Sequence, residues 1–113
     1  MTMIDDLEHP ETEGIDMAAV LGALADPGRL AAVRTLASEG EMCCTDLQEV
    51  AGLDCTKSTM SHHLKVLREA GVTRSRGEGV RRYVSLRRDD LDARFPGLLD
   101  AVLVTPRAGG RKR

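Results

Sequence analysis

Apolar positions along this chain recur mostly at helical spacing. Met17, Val20, Leu21 and Leu24 stand at i, i+3, i+4 and i+7 behind a capping aspartate, Asp16, so a first helix is predicted there. Asp26-Pro27 opens a second helix, with aspartate as the N-cap and proline at the first helical position; it is expected to bury Leu30, Val33 and Ala37 and to stop at Gly40. Thr45-Asp46-Leu47-Gln48 reads as a capping box for a short third helix, Asp46 to Ala51. After the tight connection Gly52-Leu53-Asp54-Cys55, a fourth helix begins at Thr56 or Lys57 and runs to Ala70, with Gly71 as its left-handed stop. Two helices joined by so short a glycine-containing turn form a helix-turn-helix.

The period then changes to two. Val72 to Arg76 and Val80 to Leu86 read as strands joined by Gly77-Glu78-Gly79, with Val80, Arg82, Val84 and Leu86 on one face and Arg81, Tyr83 and Ser85 on the other. Asp89 or Asp90 caps a further helical stretch, interrupted at Pro96-Gly97, beyond which Leu98, Leu99, Val102 and Leu103 make an apolar stripe. Residues 1–15 are acidic and without periodicity, and residues 105–113 are rich in Gly, Lys and Arg; both are read as flexible. The expected architecture is one mainly α domain over residues 16–104 with a small β-hairpin wing, a winged helix-turn-helix.

Composition adds two constraints. The chain has 113 residues with one Phe, one Tyr and no Trp, so its core is built from Leu, Val, Ala and Met. So thin a core is marginal for a lone small domain, which points to dimerisation. The stripes Met17, Val20, Leu21, Leu24 and Leu98, Leu99, Val102, Leu103 are available for an interface. The three cysteines, Cys43, Cys44 and Cys55, are odd in number and lack the spacing of a disulfide framework. The acidic N-terminus does not resemble a secretory signal, and no apolar run approaches the roughly 20 residues of a membrane span. A soluble cytoplasmic protein is expected.

The net charge of −2 hides a strong asymmetry. Residues 1–26 carry seven carboxylates and no Lys or Arg, whereas residues 56–88 hold Lys57, Lys65, Arg68, Arg74, Arg76, Arg81, Arg82, Arg87 and Arg88 against only Glu69 and Glu78. Basic charge gathered on one segment is the footprint of a polyanion-binding face. On the fourth helix, Met60, Leu64 and Leu67 form the core stripe, and Ser58, Ser61, His62 and Lys65 form a second, polar stripe without a carboxylate. Hydroxyl and imidazole groups there can meet base edges in a major groove while Lys65 meets phosphate. His62 is the base-contacting candidate. His63 borders the core stripe and is read as structural or phosphate-facing. The hairpin's arginines suit a minor groove or phosphates. The candidate DNA contacts are thus Thr56, Lys57, Ser58, Thr59, Ser61, His62, His63 and Lys65 of the helix, with Arg74, Arg76, Arg81, Arg82 and Tyr83 of the hairpin. A winged-helix module that binds protein would need an apolar or acidic face on this helix, and a cysteine enzyme would need a nucleophile motif that is absent.

Leu24-Ala25-Asp26-Pro27-Gly28-Arg29-Leu30, the run Ser58-Thr59-Met60-Ser61-His62-His63-Leu64-Lys65-Val66-Leu67 continuing to Ala70-Gly71-Val72, and Gly79-Val80-Arg81-Arg82-Tyr83 resemble the helix-opening, recognition-helix and wing motifs of the ArsR/SmtB regulators. The resemblance covers about residues 16–104. It implies a homodimer joined by its first and last helices, binding to an imperfect palindrome in double-stranded DNA, and repression relieved by an effector. Many members of the family sense metals or metalloids through a paired-cysteine motif at the start of the third helix. Here the segment is Glu41-Met42-Cys43-Cys44-Thr45-Asp46-Leu47: Cys43 matches the first family cysteine, Thr45 stands where the second belongs, and Cys44 falls between. Another type of family site uses histidines of the last helix, and none follows His63.

Soft thiolates suit arsenite, zinc or copper(I), so Cys43, Cys44 and Cys55 are the candidate sensor residues. Cys55 lies beyond the third helix, roughly 10–15 Å away at 1.5 Å rise per residue, which makes a three-thiolate site within one subunit difficult. A cysteine near a helix N-terminus has its thiolate favoured, so thiol redox sensing is the rival effector chemistry.

Overall fold

The computed structural model describes residues 8–104. A 3₁₀ turn at Thr12–Gly14 precedes α1 (Met17–Leu24) and α2 (Pro27–Glu39). A two-residue strand β1 (Met42–Cys43) leads directly into α3 (Cys44–Val50), followed by α4 (Lys57–Ala70), the hairpin β2 (Thr73–Glu78) and β3 (Arg81–Leu86), and the short helices α5 (Arg88–Arg94) and α6 (Leu98–Leu103). The sheet is antiparallel in the order β1-β3-β2, with Cys43 opposite Tyr83 and Ser75 opposite Val84.

The helix starts follow from their caps. Asp16 accepts the Ala19 N–H at 3.1 Å, Asp26 accepts the Arg29 N–H at 3.0 Å beside Pro27, and Thr56 Oγ1 accepts the Thr59 N–H at 3.0 Å. α4 ends at Gly71, whose φ of +88° is left-handed as its position past the helix requires. That glycine is needed twice over, because a Cβ there would lie 2.7 Å from Ile15 Cγ1. Ile15 is buried against it, in one core with Val20, Leu24, Val33, Leu36, Leu64 and Leu67.

Several expectations are corrected. Residues 8–15 are not a loose arm: His9 Nε2 accepts the Ser75 N–H at 3.0 Å, the Pro10 carbonyl accepts from Arg87 at 2.8 Å, and Thr12 donates to Asp90 at 2.8 Å. Polar composition concealed one core residue, Ile15, and a set of side-chain anchors. The rest of the proposed arm, residues 1–7, and the proposed tail, residues 105–113, lie outside the described residues.

α2 buries Ala32, Val33 and Leu36, while Leu30 is half-buried and Ala37 exposed. The stripe is turned because alanines carry little pattern signal. α3 starts earlier than expected, since the pairing of Met42 with Val84 and Cys43 with Tyr83 runs straight into it. Thr45 therefore sits inside the helix, the helix ends at Val50, and Cys43 takes the cap position without a side-chain bond. Neither Asp89 nor Asp90 caps α5; both lie in its first turn, and Arg87 precedes it. The hairpin turn is Gly79-Val80, with Glu78 opposite Arg81 and Gly79 at φ +63°, so Val80 leaves the strand face and is fully exposed at the tip. A glycine at the first central position is what a tight turn of this hand demands.

Candidate nucleic-acid interface

α4 turns two different faces outward and inward. Met60, Leu64, Leu67 and Ala70 are buried, and Ser58, Ser61, His62 and Lys65 are exposed, as are Thr56, Lys57 and Thr59 at its start. Its first turn holds no acidic residue. A helix N-terminus free of carboxylates and lined by hydroxyls attracts phosphate.

The turn before α4 is fixed by a residue the sequence reading assigned elsewhere. Gln48, expected in a capping box, instead donates from Nε2 to the Cys55 carbonyl at 2.8 Å and the Leu53 carbonyl at 3.3 Å. Those bonds satisfy the turn between the two helices and set where α4 begins. The only signal in sequence was a glutamine facing a short polar turn.

His63 departs from the exposed stripe. Its side chain is 14% exposed, with Nε2 3.9 Å from Asp26 Oδ2 and Nδ1 3.3 Å from Arg29 Nη1. It lies against the start of α2, so the structural half of its reading is the one its contacts fit. The Asp26 carboxyl is held below its ordinary range, first by the N–H of Arg29 and further by the Arg29 charge.

The hairpin arginines are not equivalent. Arg76 Nε and Nη2 reach Glu41 Oε2 and Oε1 at 2.9 and 3.0 Å, its Nη1 reaches Glu78 at 3.0 Å, and its guanidinium stacks 4.8 Å from the centre of the Tyr83 ring. This bidentate pairing holds the Glu41 carboxyl below its usual range and raises Arg76. Arg76 and Tyr83 are thus engaged within the sheet. Arg74 lies 3.4 Å from Asp90. Arg81 is exposed, with one Nη1 contact to Cys43 Sγ at 3.7 Å, and Arg82 is half-buried. Glu78, beside the hairpin turn, is paired with Arg76.

The cysteines are all free thiols. Cys43 is buried, Cys44 is half-buried, and burial pushes the Cys44 thiol up, against the lowering expected at a helix start. Cys55 lies beyond α3, its sulfur 3.8 Å from the Gln48 amide. Among the described residues no group of three or more His, Cys, Asp or Glu is arranged to hold a metal ion. Arsenite, zinc or copper(I) would have the thiols of Cys43 and Cys44, neighbours in sequence, as candidate ligands within one protomer.

Of the expected interface stripes, Met17 and Leu21 are exposed at 39% and 47%, while Leu98, Val102 and Leu103 are half-buried. Val20, Leu24 and Leu99 are instead enclosed by the protomer's own core and are not available to a second chain. Among the described residues no helix is long and apolar enough to cross a membrane.

A helix-turn-helix domain model matches residues 24–76. The HTH-type transcriptional regulator YceK of Bacillus subtilis is 41% identical over 86 residues, which are 75% of this chain and 84% of that protein. A homologue of the transcriptional repressor SmtB from Synechocystis is 37% identical over 82 residues, 69% of this chain and 60% of that one. The homodimeric winged helix-turn-helix DNA-binding domain of a possible ArsR-family regulator from Mycobacterium bovis superposes with a TM-score of 0.61 at 32% identity, covering 75% of each chain. With the acid-free face of α4, the two-residue wing turn and these likenesses together, the chain belongs to the ArsR/SmtB family of winged helix-turn-helix transcriptional regulators.

Proposed function

We propose that the protein is a homodimeric repressor that binds a palindromic operator, with α4 of each copy in the major groove and the wing against the backbone or minor groove. The observation that carries this reading is the exposed stripe Ser58, Ser61, His62 and Lys65, set opposite the buried Met60, Leu64 and Leu67 on one helix. Ser58, Ser61 and His62 would read base edges, and Lys57, Lys65 and Arg81 would meet phosphates. The copies would join through Met17 and Leu21 of α1 with Leu98, Val102 and Leu103 of α6. A mass of exposed aliphatic side chain on a short helix favours a self-complementary interface.

Relief of repression would act at Cys43 and Cys44, since β1 is hydrogen-bonded to wing strand β3 and Cys43 touches Arg81. Burial of Cys43 and the raised Cys44 thiol weigh against rapid oxidation and hence against the redox form of this reading. Footprinting the protein on the DNA upstream of its own gene is the test. Two protected half-sites in symmetric array are expected. Absence of any protected site, with a folded protein, would remove the operator reading. Repeating it with zinc, arsenite, copper(I) and peroxide identifies the effector class.

A further inference from the structure

His63 sits between the exposed His62 and the buried Leu64, yet its ring faces α2. Arg29 Nη1 lies 3.3 Å from its Nδ1. A guanidinium only donates, so as a hydrogen bond this contact has Nδ1 as the acceptor, and Nε2 lies 3.9 Å from Asp26 Oδ2.

The same Arg29 donates from Nε to the Ala23 carbonyl in the last turn of α1 at 2.7 Å, and its backbone N–H is held by Asp26. One guanidinium thus joins the end of α1 to the middle of α4. Space for the ring comes from Gly28: a Cβ there would lie 3.1 Å from Asp26 Oδ2 and 3.4 Å from His63 Nε2. Elsewhere the α1–α4 contact runs through the apolar core, with Val20 and Leu24 in the same cluster as Met60 and Leu64, and apolar packing resists separation better than rotation.

We propose that His63 is a positioning residue for operator recognition: through Arg29 it fixes the angle of α4 against α1. The proposal rests on the reading that α4 enters the groove and α1 joins the copies. A dimer on a palindrome must present two recognition helices at the spacing of two half-sites, so the angle between the joining helix and the reading helix is the quantity that matters. The charged groups facing the ring are Asp26 and Arg29 of α2; α1 contributes only the Ala23 carbonyl to the cluster, and Leu53 of the preceding turn closes the Gly28 side with an apolar group.

The experiment is fluorescence anisotropy of the full chain on its footprinted operator and on a scrambled duplex at constant pH and ionic strength, for the wild type, His63→Asn and His63→Ala. Asparagine offers an oxygen acceptor near the Nδ1 position. His63→Asn should keep the wild-type operator affinity to within about threefold, and His63→Ala should lose about tenfold on the operator and little on the scrambled duplex. A loss of operator affinity in His63→Asn, wild-type operator affinity in His63→Ala, or an equal loss on both duplexes would each overturn the proposal. Should His63→Ala fail to fold, His63→Asn alone decides. Failure of the groove reading shows separately, as indifference of operator binding to His62→Ala.

Discussion

Arg76 and Glu41 are joined by two parallel hydrogen bonds of 2.9 and 3.0 Å across the sheet, from a wing strand to the residue just ahead of β1. A wing arginine held this way is a strut, and Arg81, exposed one residue past the turn, is the stronger candidate for DNA. Arg76→Ala should therefore change operator affinity little. Arg81→Ala should weaken operator and scrambled duplex alike and reduce the slope of log affinity against log salt by about one per contact in each copy. Glu41→Gln should release Arg76 and strengthen non-specific binding. Anisotropy titrations against salt on both duplexes check all three.

His62→Ala should cost about 1–3 kcal/mol on the operator and almost nothing on a scrambled duplex, because a base contact carries discrimination and a phosphate contact does not. Equal loss on both duplexes would place another face of α4 in the groove.

Leu21→Asp should give a folded monomer by analytical ultracentrifugation with native-like circular dichroism, since Leu21 is exposed in the protomer. Val20→Asp, one residue away but fully buried, should unfold the chain, as an unpaired carboxyl in the core costs several kcal/mol. A dimeric Leu21→Asp would move the interface off α1.

Replacing Cys43 by Ala and Cys44 by Ser together should leave operator affinity within about twofold and abolish release by the native effector. Alanine suits Cys43 because that side chain is buried. A double variant that still responds fully would place the sensor elsewhere. Cys55→Ser in the same assay tests whether the third thiol is recruited.

Asp90 accepts from Thr12 and Arg87 and faces Arg74, and these partners, Thr12 first, hold its carboxyl below the ordinary value. Its stabilising contribution is present above the unfolded carboxyl range near pH 4 and is lost as pH falls through the lower folded value. Asp90→Asn should lower stability by about 1–3 kcal/mol at neutral pH by weakening the support of buried Arg87, and should flatten part of the acid limb of the stability curve. Urea melts from pH 2 to 7 read both effects.

Much of the scaffold was legible because its signals are local. Asp26-Pro27, Thr56 and Gly71 announce helix ends through side-chain and backbone chemistry that acts within four residues. The polar face of α4 followed from spacing alone. What escaped was non-local. Arg76 reads as a DNA ligand until Glu41 is seen beside it. Gln48 reads as a cap until the turn carbonyls are seen within its reach. β1 is too short to have a period, and its existence depends on β3. Ile15 looked like the end of an arm because the cavity it fills lies behind Gly71, far along the chain.

The His9 ring covers the middle of β2, the outer strand of the sheet, at the backbone N–H of Ser75. An uncovered outer strand is an invitation for a second sheet to extend the first, and proteins commonly block it with charge or a bulge. Here a side chain from the N-terminal segment does the blocking. Growth of the sheet from one molecule into the next is disfavoured at that point, which leaves the exposed Met17 and Leu21 of α1 and the half-buried face of α6 for the proposed interface. Two copies can then meet without consuming either wing, as the proposed binding of both wings to one duplex requires.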